Sequence, residues 1–259
     1  MIFFPDWSDL GVSDDQRLFW EDELSVRQEY YNYYTGKIFK EHIPEVEAID
    51  GDAPLLYPVG INLVRMMCLA QADAIFGEWD ESIVQFAAAD EEAESKTIKN
   101  ATKLLQEILF YSDMNSGLWE IALDGEIYGG GVLKISANLS KYGPKVKWSR
   151  VPLNSFFPIF DPTDPNRIVE AFVVTLMTVE QAANTFGYSG STGNDVVTMI
   201  EHWTERVYET KIEDQVISTY SGMNPWGMVP FVYIPRYRNY HVWGASLTEE
   251  VKDIQDELN

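Results

Sequence analysis

The sequence predicts an α+β fold: a helical half over residues 1–128 packed on a mostly antiparallel, hairpin-rich β half over 129–243, with a last helix from 244 to 259. Three observations carry that prediction. Before residue 128 the apolar residues recur at helical spacing, whereas after residue 131 they fall in short β-branched and aromatic runs separated by turn signals. Between these regions, residues 116–135 place Leu118, Ile121, Ala122, Gly125 and Tyr128 on one helical face, then break at Gly129-Gly130-Gly131. Val132-Leu133-Lys134-Ile135 follows as a strand.

Three glycines in a row invite a phosphate-loop reading. That motif needs a Lys-Ser/Thr pair after the glycines and the order strand, loop, helix, because helix N-terminal amides hold the phosphate. Here the order is helix, loop, strand, so the glycines read as structural. Gly125 lies on the apolar face and is expected to permit close approach of another element.

Composition bounds the class. The 259 residues are 46% hydrophobic and 14% aromatic, enough to fill a core. A formal charge of −22 opposes free-standing nucleic-acid binding and attraction to anionic membranes. The single cysteine, Cys68, rules out an internal disulfide framework. No basic segment followed by an apolar run opens the chain, so no signal peptide is expected. The most apolar long stretch, 59–76, holds Asn62, Arg65, Gln71 and Asp73 and is too short and polar to span a bilayer. It reads as a central helix apolar nearly all round.

In chain order, Ser13-Asp14-Asp15-Gln16 opens a first helix and Gly36 closes it. Its aromatic residues divide into two stripes: Trp20, Leu24, Tyr31 and Tyr34 on one side, and Phe19, Val26, Tyr30 and Tyr33 on another. Two readings stay open, a helix sandwiched within its own domain and a helix whose Trp20, Tyr30, Tyr31, Tyr33 and Tyr34 form a subunit interface. Residues 42–56 read as a polar connector, 78–93 as an acidic stretch with a solvated helix start, and 96–110 as a helix with Ile98, Ala101, Leu105, Ile108 and Leu109 on one face. Strands are expected at 132–137 and 145–151 around a turn at 141–144, at 169–175, and at 196–204, 206–212, 215–220 and 230–234. Thr178 caps a short helix that ends before Gly187.

The final helix opens with Ser246 and Glu249 as a capping box, packs through Leu247, Val251, Ile254 and Leu258, and turns Glu249, Lys252, Asp253 and Asp256 outward. Its apolar stripe runs to the last residues, so the chain is expected to be part of a longer polypeptide. For chemistry, His42, His202 and His241 lack a ligand spacing and Cys68 sits in an apolar helix, where a thiol is inert. No nucleophile elbow is present. The 41 acidic residues make chance carboxylate pairs common, which leaves a carboxylate-dependent hydrolase fragment as one alternative and a generic α+β binding module as another.

Several stretches together resemble the portal proteins of tailed bacteriophages of the long-tailed type. Tyr30-Tyr31-Asn32-Tyr33-Tyr34-Thr35-Gly36 resembles that family's aromatic first helix, and Asn62-Leu63-Val64-Arg65 through Ala74-Ile75-Phe76-Gly77-Glu78 resembles its next helix. Gly125-Glu126-Ile127-Tyr128-Gly129, Val151-Pro152 and Pro158-Ile159-Phe160-Asp161 are similar to its helix, hairpin and Pro-Ile-Tyr-Asp segment. Pro230-Phe231-Val232 and Gly244-Ala245-Ser246 through Ile254-Gln255-Asp256-Glu257-Leu258-Asn259 look like the strand and helix that lead to its stem.

The resemblance implies a wing-like α+β domain over 1–243 and the start of a stem helix at 244–259. It also implies a homo-oligomeric ring, characteristically of twelve copies, in the virion at a capsid vertex and in the host cytoplasm during assembly. Its partners would be the major capsid protein, the terminase, head–tail connector proteins and double-stranded DNA passing through without sequence-specific binding. Membrane association, cofactors, metals and catalytic residues are not expected. On this reading Glu249, Lys252, Asp253 and Asp256 are channel- or stem-facing. A clip, second stem helix, tunnel loop and crown are not located in this sequence.

Overall fold

The computed structural model describes residues 11–40, 61–76, 96–111, 114–137, 146–190, 195–238 and 243–258. The expected connector at 42–56, the acidic stretch at 78–93, the turn at 141–144, and His42, Gly77 and His241 lie outside them. The element order is α1 (Asp14–Thr35), α2 (Leu63–Phe76), α3 (Lys96–Tyr111), α4 (Met114–Tyr128), β1 (Gly130–Ala137), β2 (Val146–Val151), β3 (Phe156–Asp161) and β4 (Asp164–Thr178). It continues with α5 (Val179–Phe186), β5 (Val196–Thr204), β6 (Val207–Ile212), β7 (Gln215–Val216), β8 (Gly222–Met223), β9 (Phe231–Pro235) and α6 (Leu247–Leu258). The protein is therefore α+β, helical in its first half and antiparallel β in its second.

The chain forms two compact units whose boundaries differ from the expected split at 243/244. One is Glu23–Gly131 with Ile234–Asn259, and the other is Ile2–Asp22 with Val132–Tyr233. The last helix belongs to the first unit, where Leu247 and Val251 join Tyr30, Tyr33, Val64, Cys68 and Ile127 in one buried cluster. The start of α1 belongs to the second.

Local chemistry accounts for the ends of α1. The Ser13 hydroxyl accepts from the Gln16 amide at 3.3 Å, Asp14 and Asp15 sit in the positive first turn, and Gly36 leaves the helix at φ 72°. Its buried stripe is Trp20, Leu24, Arg27, Tyr30 and Tyr33. This recuts the two expected stripes: Phe19 and Val26 are exposed, and Tyr31 and Tyr34 are half-buried. Helix α2 is not buried all round. Val64, Cys68 and Ala72 face inward at spacings of four while Met66 and Ile75 are exposed. In α3, Leu109 is buried and the rest of the expected face, Ile98, Ala101, Leu105 and Ile108, is half-buried.

In the second unit, β4 is 15 residues long and pairs with β3 on one side and β5 on the other, within a six-stranded sheet of order β3-β4-β5-β6-β7, with β8 added to β6. Register shifts at Ile159/Phe160 and Phe160/Asp161 mark an irregularity at the end of β3, where pairing continues as Phe160↔Ile168 and Asp161↔Asp164. Strands β4 to β7 pair antiparallel in chain order, a meander, with Glu213 at φ 51° in the turn before β7. Residues 218–220, read as strand, form instead a short 3₁₀ turn. Thr178 and Gln181 form the reciprocal capping box of α5, and Gly187 ends it at φ 70°. Trp20 packs here, its ring 5.4 Å from Phe157 and 6.1 Å from Phe172. The strands β2, β1 and β9 form a second sheet in that order, and the β1–β2 hairpin has the register Val132↔Val151.

Candidate functional site

The first unit concentrates the polar groups that sequence reading valued least. In α4 the helical period carries Asp124, Gly125, Glu126 and Ile127 all into the interior. Glu126 is 1% exposed, which requires a partner. That partner is Arg236, just beyond β9, whose Nε donates to Glu126 Oε2 at 2.6 Å. The same guanidinium donates to Gln71 Oε1 of α2 at 3.3 Å, to the Ala245 carbonyl at 3.4 Å, and to Glu250 Oε1 of α6 at 3.3 Å. One planar fork thus ties α2, α4, β9 and α6 together, a geometry available to Arg and not to Lys. Burial lifts the Glu126 carboxyl above the ordinary carboxylate range, and the adjacent Arg236 pulls against that rise.

The backbone beneath this pair is tight. The Arg236 amide donates to the Gly129 carbonyl at 2.9 Å, and the Gly129 amide closes α4 onto Gly125 at 2.8 Å. Gly129 stands at φ 92°, and a side chain there would collide with the Gly244 carbonyl, with the Gly244 carbon only 2.8 Å away. A side chain on Gly131 would meet Ile121 at 2.6 Å. Gly125, the position expected to allow close approach, faces only Arg236 Cβ at 3.5 Å, an ordinary contact. Close approach therefore belongs to Gly129 and Gly131. The glycine run also reverses the chain from helix to sheet, as the sequence indicated.

Two amides join the remaining helices. Asn62 Oδ1 accepts from the Arg65 amide at 2.8 Å and so caps the start of α2, while its Nδ2 donates to the Tyr33 and Tyr34 carbonyls at 3.2 and 2.9 Å at the end of α1. Gln255, fully buried in α6, accepts through Oε1 from the Leu63 and Val64 amides at 2.6 and 3.3 Å and donates to the Ile61 carbonyl at 2.8 Å. Replacing Asn62 with alanine removes the caps of two helices at once and is expected to lower stability by about 1–2 kcal/mol. Urea unfolding of the variant checks this, and a midpoint equal to that of the parent would contradict it. Arg65 and Asp73 are exposed, with Asp73 accepting from Trp119 Nε1 at 2.7 Å.

Beside this junction lies a pocket of about 210 Å³ walled by Glu23, Arg27, Tyr30, Tyr128, Trp243 and Glu249. The buried Arg27 guanidinium covers the Trp243 ring at 4.4 Å from its centroid. Burial, and next the Glu249 charge, push the Tyr30 hydroxyl up to about 12, so it remains a neutral phenol. Burial likewise pushes the Cys68 thiol up to about 12, which keeps it protonated and unreactive at neutral pH. His202 is a sheet residue hydrogen-bonded to Glu170 at 2.6 Å and stacked on Phe172. Among the described residues, no three His, Cys, Asp or Glu side chains are grouped as a metal ion would require, and no helix is long and apolar enough to cross a membrane.

The structure corrects the expected site residues in specific ways. Trp20, at 1% exposed, and the buried Tyr30 and Tyr33 are consumed by packing within the chain, so they offer little surface to a neighbouring copy. Tyr31 and Tyr34 are half-buried, beside Lys37 and Arg65, whose charges lie 5.4 and 5.7 Å from the respective ring centroids. On α6, Asp256 accepts from the Tyr33 hydroxyl at 2.7 Å and Lys252 pairs with Glu29 at 2.9 Å. Both make a contact with α1, Lys252 while half-buried and Asp256 while exposed. Glu249 and Asp253 are exposed. The packed face of α6 is Leu247, Thr248, Val251 and Gln255, while Ile254 and Leu258, expected to pack, are exposed.

Arg236 and Glu126 lie 110 residues apart, so no local pattern in the sequence pairs them. The signal for Glu126 in the sequence is its place between Gly125 and Ile127 on the last turn of α4, next but one to the equally buried Asp124. No family model matches the chain, and no curated protein is significantly similar to it.

Proposed function

We propose that this chain is a structural subunit of a portal ring of the tailed-bacteriophage type, part of a capsid-vertex conduit for DNA packaging and ejection. One observation carries the reading beyond the sequence resemblance. The aromatic end of α1, the Asn-led start of α2, the glycine-rich end of α4 and the Gly-Ala-Ser start of α6 are separated in sequence but meet in one unit. They share one buried cluster and the hydrogen bonds of Asn62, Gln255 and Arg236. These four of the stretches that resemble the family thus share one structural unit, while Val151-Pro152, Pro158-Ile159-Phe160-Asp161 and Pro230-Phe231-Val232 lie in the other.

The charge is compatible with this role. A conduit that must let DNA slide benefits from a wall that does not neutralise phosphate, and the chain carries −22. The partners on this reading are further copies of the chain, the major capsid protein, the terminase motor and head–tail connector proteins. The work is mechanical, without a catalytic site or cofactor. Negative-stain microscopy of the full-length polypeptide tests it: closed rings with a central channel are expected, and a monodisperse monomer under assembly conditions would overturn the proposal.

A further inference from the structure

Helix α6 is attached to its unit in an unusual way. A helix on a globular unit is ordinarily held by an apolar stripe. In α6 that holds only for the first half, where Leu247 and Val251 are buried. From Lys252 onward the apolar residues point away, with Ile254 52% and Leu258 60% exposed. The second half is held instead by side-chain hydrogen bonds: Lys252 to Glu29, Gln255 to the Leu63 and Val64 amides and the Ile61 carbonyl, and Asp256 from Tyr33. Such bonds exchange for bonds to water with little net change, whereas buried apolar surface does not.

We infer that the second half of α6 is a reversible latch on α1 and α2, undocking as a segment while Leu247 and Val251 stay in the core. Because Gln255 accepts from the first two amides of α2 from 192 and 191 residues away, undocking also frees the Leu63 and Val64 amides, leaving Asn62 as the remaining cap. The two segments therefore share one opening equilibrium. This goes beyond ring assembly and holds for the isolated chain.

Native-state hydrogen exchange of the 259-residue chain, read by mass spectrometry, tests it. Amides of 252–258 and 63–66 are expected to exchange together, at least about tenfold faster than those of 121–128. Gln255→Ala is expected to accelerate both segments by about tenfold and leave β5 unchanged. Tyr33→Phe, which removes only the Asp256 contact, accelerates the same two segments by a smaller factor and serves if Gln255→Ala does not fold. Exchange of 252–258 at the rate of 121–128 in the parent, or acceleration of 252–258 with 63–66 unmoved, would overturn the latch.

Discussion

Gly129→Ala is expected to lower the stability of the chain by about 3–5 kcal/mol, the sum of two independent costs. Gly129 adopts φ 92°, where an L side chain strains the backbone, and its Cβ would strike the Gly244 carbonyl. Neither obstacle can move cheaply. Gly244 is reciprocally blocked, since a side chain on it would come within 2.8 Å of the Tyr237 carbonyl, and the Gly129 carbonyl is fixed by the Arg236 amide at 2.9 Å. The contrast is Gly125→Ala. There the added methyl meets Arg236 Cβ at 3.5 Å inside a helix, and alanine is the better helix former by about 1 kcal/mol. Urea unfolding of the two variants separates them: Gly129→Ala loses stability heavily, and Gly125→Ala is neutral or slightly stabilised. Equal midpoints for the two would contradict the assignment of close approach to Gly129.

Arg236→Ala is expected to cost about 3–5 kcal/mol at neutral pH, because it strands the Glu126 carboxylate in the interior. Glu250→Ala, which removes a half-exposed partner of the same guanidinium, is expected to cost about 1 kcal/mol or less. The pH dependence has a definite sign. Burial raises the folded-state Glu126 carboxyl above its unfolded value, so the stabilisation linked to its protonated form is complete below the unfolded value and is lost as pH rises through the folded one. Arg236 opposes that rise, so its removal lifts the folded value further. The deficit of Arg236→Ala relative to the parent is therefore largest at neutral pH and shrinks as pH falls through the raised folded-state value of the variant and then that of the parent, both above the ordinary carboxylate value. A deficit independent of pH between 4 and 8, measured by unfolding across roughly that interval, would contradict a stranded carboxylate.

How much of this was legible in the sequence follows from the range of the interactions involved. Local signals read correctly: Ser13 and Gly36 bracket α1, Thr178 and Gly187 bracket α5, and the period-two run at 196–204 is β5. The α+β division at the glycine run follows from the same local rules. What failed depended on partners distant in sequence. The apolar pattern of α6 pointed to Ile254 and Leu258 as packed, but docking selected Gln255 because the first turn of α2 offers it two amides. The aromatic stripes of α1 were miscut because the buried face includes Arg27, a charge that a hydrophobic pattern leaves out until its Trp243 platform is known. Glu126 and Arg236 were each visible, and only folding shows that they meet.

The proposed function requires that the chain be one copy of many in a closed ring. Native mass spectrometry of the full-length polypeptide, under conditions that preserve assembly, tests that most directly. A single species with a mass of about twelve protomers is the predicted result, and a species of one protomer mass over the same concentration range would contradict it.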